Sequence, residues 1–96
     1  MKPSVALNSN REAVRRAASK YRTTNIRVFG SACSGLDQEG SDLDLLVDAL
    51  PGTTLFDLGG LQIELEEILG VQVDLVTPGD LPPAFRNRAL AEAVPV

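Results

Sequence analysis

The chain has 96 residues, 44% hydrophobic and 23% charged, which fits one soluble globular domain over residues 1–96 and excludes global disorder. A net charge of −4, an aromatic content of 4% and the absence of Trp argue against backbone-driven DNA or RNA binding and against base-stacking platforms. With no histidine, imidazole bases, His-ligated zinc and Ser-His-Asp triads are excluded, and a single cysteine rules out an internal disulfide.

No apolar run approaches the ~20 residues of a membrane span, and Met1-Lys2-Pro3 shows no signal peptide. The lone cysteine fits a reducing compartment, so the expected location is the cytoplasm. After a short tail, Asn8 or Ser9 can cap a helix beginning near Asn10, with Glu12 close enough for a capping box. Ala13, Val14, Ala17, Ala18 and Tyr21 form its apolar stripe; Arg11, Arg15, Arg16 and Lys20 read as a solvated face, and Thr23-Thr24-Asn25 ends it. Ile26 to Phe29 is the first strand, Ser31 to Gly35 one short helical turn, and Asp37 to Ser41 a loop. Leu43 to Val47 is the second strand, with Leu43, Leu45 and Val47 on one face and Asp42, Asp44 and Leu46 on the other.

A turn at Ala49-Leu50-Pro51-Gly52 leads to a helix capped by Thr53 or Thr54, with Leu55, Leu58, Leu61, Leu65, Ile68 and Leu69 as its stripe. Glu64, Glu66 and Glu67 read as its wet face, Gly59-Gly60 is expected to kink it or detach its first turn, and Gly70 suits the C-cap. Val71 to Thr77 is the third strand, with Val71, Val73 and Leu75 opposite Gln72, Asp74 and Val76. Pro78-Gly79 breaks it, and Pro82-Pro83 start a last helix. Phe85, Ala89, Leu90 and Ala93 give that helix an apolar side, Arg86 and Arg88 lie outside, and Pro95 stops it. The pattern predicts the α/β class: a small mixed sheet of three strands or slightly more, covered by helices.

A Gly-Ser turn such as Gly30-Ser31 can present backbone N–H groups to a phosphate. Asp42 and Asp44, one residue apart at a strand, point the same way and can hold a divalent cation. For these to form one site, the first two strands must run antiparallel. Asp74 joins them only if the third strand runs parallel to the second, through a right-handed crossover. The three carboxylates then share one sheet face, where close like charges shift a pKa by ~1–3 units and call for a cation. Oxygen-only ligands favour Mg²⁺ or Mn²⁺ over zinc.

Gly30-Ser31, a ten-residue gap, Asp42-Leu43-Asp44 and the later Asp74 resemble the nucleotidyltransferase superfamily typified by DNA polymerase β. Within it, the length and the segment from Phe56 to Thr77 resemble the minimal nucleotidyltransferases, often encoded beside a HEPN-domain toxin and acting as its antitoxin. The resemblance implies that Gly30 and Ser31 contact the triphosphate of ATP, with Ser41 as a further nucleotide-binding residue. It implies that Asp42 and Asp44 bridge two Mg²⁺ ions, and that Asp74 completes the metal site and helps deprotonate the attacking hydroxyl. The implied reaction moves AMP from ATP to a tyrosine hydroxyl of the HEPN toxin, with loss of pyrophosphate, inside a hetero-oligomer. Nucleic acid and membrane are not among the implied partners.

One position departs from the family pattern. Many relatives carry Arg in the turn after Gly-Ser, just before the following Gly; here that position is Ser34, and Ala32 and Cys33 are not basic. Arg27, or a cation from a partner, could substitute. Cys33 reads as a small packed residue and not a nucleophile. Two other readings compete with the enzyme: a binding module that neutralises the toxin by occupying it, motivated by Ser34, and a nucleotidyltransferase acting on a small molecule such as an antibiotic.

Overall fold

Leu43, Leu45 and Val47 are each 0% exposed, and this alternation of buried apolar side chains makes the second strand a central one. In the computed structural model, which describes residues 1–96, the order begins α1 (Pro3–Ser9), α2 (Arg11–Ser19), β1 (Thr23–Phe29), α3 (Ser31–Ser34) and β2 (Leu43–Ala49). It continues with α4 (Leu55–Leu69), β3 (Val73–Val76), a 3₁₀ turn (Pro78–Asp80), α5 (Pro83–Glu92) and β4 (Val94–Pro95). The sheet has four strands in the order β3-β2-β1-β4; β1 is antiparallel to β2 and β4, while β2 and β3 are parallel. The mixed α/β architecture is the one expected, enlarged by β4. No helix is long and apolar enough to cross a membrane.

Helices α1, α2 and α4 cover one sheet face, where Leu7, Val14, Val28, Leu45, Leu61 and Leu65 belong to one buried cluster. Each such side chain contributes about 1.5–3 kcal/mol on burial. The opposite face carries a smaller cluster of Phe29, Leu46, Leu81 and Ala89, roofed by α5 and the 3₁₀ turn. Asp44 and Asp74 lie on this second face, half-buried and exposed respectively.

Several local expectations are corrected. The N-terminal tail is helical from Pro3, because Ala6 and Leu7 bury into the core and the Asp37 carboxylate accepts the Ser4 N–H at 2.8 Å, satisfying a leading donor of α1. Asn10 is the residue shared by α1 and α2, and its amide donates to the Ala6 carbonyl; no side chain caps α2. Thr23-Thr24-Asn25 opens β1 instead of closing a helix, and Asn25 (φ 55°) marks the irregularity where the β1–β2 register shifts.

Arg15, Arg16 and Lys20 are exposed, as a solvated face requires, but the cations also tie elements together: Arg11 and Arg15 both donate to the Val96 carbonyl, and Lys20 pairs with Glu64 at 2.7 Å. Glu64 also accepts from the Tyr21 hydroxyl at 2.9 Å, and Glu66 accepts the Val73 N–H at 3.0 Å, so only Glu67 of the three fits a wet face. Helix α4 runs unbroken through Gly59-Gly60, capped by a Thr54/Asp57 capping box. A Cβ at Gly60 would lie 2.8 Å from Tyr21 Cε1, which explains that glycine. Leu55, assigned to the stripe, is 86% exposed. Arg86 turns inward, donating to the Pro78 and Leu81 carbonyls at 2.8 and 2.9 Å, and so fastens α5 to the 3₁₀ turn. The helix stops at Glu92, and Pro95 enters an edge strand opposite Arg27, where its missing N–H is tolerated.

Candidate active site

Strand β1 ends at Phe29 and the chain turns at Gly30, which adopts φ 73° and ψ −153° before α3 begins at Ser31. That backbone region is open almost only to glycine. Phe29 pairs with Asp44 across the antiparallel ladder, bringing the turn over the carboxylate: a Cβ at Gly30 would lie 2.3 Å from Asp44 Oδ2. The first N–H groups of α3 have no intrahelical acceptor. Gly35 closes the short helix in the left-handed conformation at φ 78°.

The parallel β2–β3 ladder sets Asp44 directly beside Asp74. Asp42 precedes the first residue of β2 and is exposed. Burial pushes the Asp44 carboxyl above the usual carboxylate range, and the negative charges of Asp74 and Asp42 push it further. As the side chains stand, no three acidic groups converge closely enough to grip a metal ion. Asp44 and Asp74 are brought together, while Asp42 acts on Asp44 through its charge. Ser41 lies at the end of the loop, where its hydroxyl accepts the Gln38 N–H at 3.0 Å and closes a turn.

Beside Gly30 and Ser31 a groove of about 720 Å³ runs between α3 and α5. Ser31, Ser34 and Leu36 form one wall, and Phe85, Arg88 and Glu92 form the other. This second wall was missed in the sequence; its signal is the spacing of Phe85, Arg88, Ala89 and Glu92, which puts all four on one side of a helix. Arg27, named as a substitute cation, is committed elsewhere: its Nη2 lies 2.6 Å from Asp48 Oδ1 and its side chain is 11% exposed. Cys33 is half-buried, packed against the core, with its thiol directed to the Glu92 carbonyl at 3.3 Å.

Residues 10–96 match the family model for the nucleotidyltransferase domain. A solved structure described as a "putative minimal nucleotidyltransferase" superposes with a TM-score of 0.88 at 42% identity, covering 100% of this chain and 97% of that one. The chain belongs to the minimal nucleotidyltransferases. Among relatives of this nucleotidyltransferase, the "Putative protein adenylyltransferase MJ0435" of Methanocaldococcus jannaschii is 40% identical over 77 residues, 80% of this chain and 83% of that one. The fold is also that of a crystal structure of a toxin–antitoxin with AMP-PNP, with a TM-score of 0.75, 20% identity, and coverage of 90% of this chain and 71% of that one.

Proposed function

We propose that this nucleotidyltransferase transfers AMP from ATP to a tyrosine hydroxyl of a partner HEPN-domain toxin, with Mg²⁺, and so acts as its antitoxin. The observation that carries the reading is the side-by-side pairing of Asp44 and Asp74 under the Gly30 turn. The all-oxygen donor set fits a hard divalent cation. Burial first, and then the charges of Asp74 and Asp42, push the Asp44 carboxyl up, and a bound cation would relieve that cost. Asp42 and Asp74 are exposed, and exposed side chains rotate within picoseconds to nanoseconds, so both are free to turn toward Asp44.

Asp42, Asp44 and Asp74 would hold Mg²⁺, which supplies charge neutralisation at the α-phosphate and at the departing oxygen. Gly30 and Ser31 hold the phosphate chain against the turn, with Ser41 at the loop edge. The acceptor oxygen bonds to the α-phosphorus as the bond from that phosphorus to the α–β bridging oxygen breaks. Pyrophosphate leaves, and the hydroxyl proton passes to Asp74. The absence of histidine is no obstacle, since Asp74 serves as the base.

A protein acceptor is supported by the open carboxylate edge and by Leu55, Phe56 and Ile63, which α4 exposes at 86%, 91% and 60%. The toxin–antitoxin that shares the fold and the adenylyltransferase name of the M. jannaschii relative favour the same acceptor class and ATP. The cation-free turn Ala32-Cys33-Ser34 favours the competing reading, a module that neutralises by binding alone. Incubation with labelled ATP, Mg²⁺ and the toxin separates the two. Wild type is expected to label the toxin, and Asp42→Asn and Asp44→Asn to label it at least 100-fold more slowly, in the range lost with a catalytic electrostatic group. Neutralisation without label, surviving both substitutions, would leave the binding module standing.

A further inference from the structure

A tetra-anionic nucleotide entering beside three carboxylates needs a cation at its pyrophosphate end, and the Gly30–Gly35 turn provides none. The nine Lys and Arg side chains can be accounted for one by one. Arg11 and Arg15 bind the Val96 carbonyl, Arg16 pairs with Glu12, and Lys20 with Glu64. Arg22 reaches the Gly52 carbonyl, Arg27 holds Asp48, and Arg86 holds two carbonyls at the 3₁₀ turn. Lys2 precedes α1, acts on Asp37 through its charge and does not line the groove. Arg88 alone lines the groove that also contains Gly30, Ser31 and Ser34.

Arg88 is also the cation most easily redirected. Its side chain is 74% exposed and held only by an Nε contact to Glu92 at 3.3 Å, which leaves both Nη groups without a protein acceptor. An exposed pair of this kind is weakly held, because water screens it and both side chains must be ordered to make it. Arg–phosphate pairs are charge-assisted and frequently bidentate, so exchange of Glu92 for a phosphate is favourable. Resting on the nucleotidyltransferase reading above, we propose that Arg88 binds the pyrophosphate end of the nucleoside triphosphate, and that Glu92 holds it aside until the nucleotide arrives.

The test is calorimetric titration of ATP, inorganic pyrophosphate and AMP, each with Mg²⁺, into wild type, Arg88→Ala, Arg88→Gln, Arg88→Lys and Glu92→Gln. Loss of Arg88 is expected to weaken ATP and pyrophosphate about 10-fold or more and to leave AMP unchanged. Arg88→Lys recovers part of the loss, and Glu92→Gln tightens ATP. Arg88→Gln keeps most of the side-chain stem, so a deficit shared with Arg88→Ala is a loss of charge. Unchanged pyrophosphate and ATP affinity in both neutral variants overturns the assignment while leaving the transferase reading intact. Equal losses for AMP and ATP overturn it as well, since they place Arg88 away from the pyrophosphate. Failure of wild type to bind all three ligands overturns the transferase reading itself.

Discussion

Gly30 and Asp44 meet across the β1–β2 ladder so closely that a methyl group on Gly30 would lie 2.3 Å from Asp44 Oδ2. Gly30 also holds φ 73° and ψ −153°, so a side chain there meets both backbone strain and a clash with the carboxylate. Gly30→Ala is expected to lower stability by about 1–3 kcal/mol and to abolish label transfer. Thermal melting and the transfer assay read the two effects; an alanine variant that melts and transfers like wild type would refute the close approach.

Asp44 itself is held in a repulsive place. Burial, then Asp74, then Asp42 raise its carboxyl, so the native state binds that proton more tightly than the unfolded chain does. Its contribution to stability is therefore present below the ordinary carboxylate range and is lost as pH rises through the raised value. At pH 7 without metal, Asp44→Asn is expected to melt up to about 4 °C higher than wild type, roughly 0.5 kcal/mol after allowance for solvent screening. The same variant should lose transfer and most of the melting shift given by Mg²⁺ with ATP. A lower melting temperature in Asp44→Asn would show that the carboxylates do not repel.

The paired glycines of α4 separate two causes. Nothing lies within 4 Å of a Cβ at Gly59, whereas one at Gly60 meets the Tyr21 ring at 2.8 Å. Gly59→Ala is expected to stabilise by about 0.5–1 kcal/mol through helix propensity. Gly60→Ala should forfeit that gain or reverse it, because the displaced Tyr21 loses its bond to Glu64. Denaturant midpoints measure the difference; equal gains would remove the packing explanation for Gly60.

Asp37 ties the loop before the site to α1. The residue is 4% exposed, and the Ser4 N–H holds its carboxylate below the usual carboxylate range. A lowered native pKa contributes stability above the unfolded value that is lost as pH falls through the native one. Asp37→Asn should therefore melt below wild type at pH 7, through a weaker bond to the Ser4 N–H, with the gap closing toward pH 3. A gap that stays constant from pH 7 to pH 3 would mean the carboxylate charge plays no part.

Periodicity assigned Asp44 and Asp74 each to a face, and the strand directions followed from requiring Gly30-Ser31, Asp42, Asp44 and Asp74 to form one site, which is the arrangement of β1, β2 and β3 in the sheet. Residues whose partners are distant in sequence could not be placed this way. Helix α1 depends on Asp37 accepting from Ser4, and Glu66 is recruited by a strand beginning at Val73. Pro95 carries the local signal of a helix stop, yet its pairing opposite Arg27 is a matter of sheet geometry. The spacing of Phe85, Arg88, Ala89 and Glu92 sets Arg88 on one side of α5, but not what that side faces, since a groove between α3 and α5 exists only after both have packed.

The two rims of the sheet have a consequence for recognition. One ends on β4, two residues long and containing a proline, and the other on β3, four residues long. Neither offers an uninterrupted row of free N–H and C=O groups long enough to template an incoming strand. Backbone augmentation, a common way for a small sheet protein to recruit an extended peptide, has little to work with here. Recognition of another chain falls instead to side chains on the helices, where single substitutions can retune partner choice without disturbing the sheet.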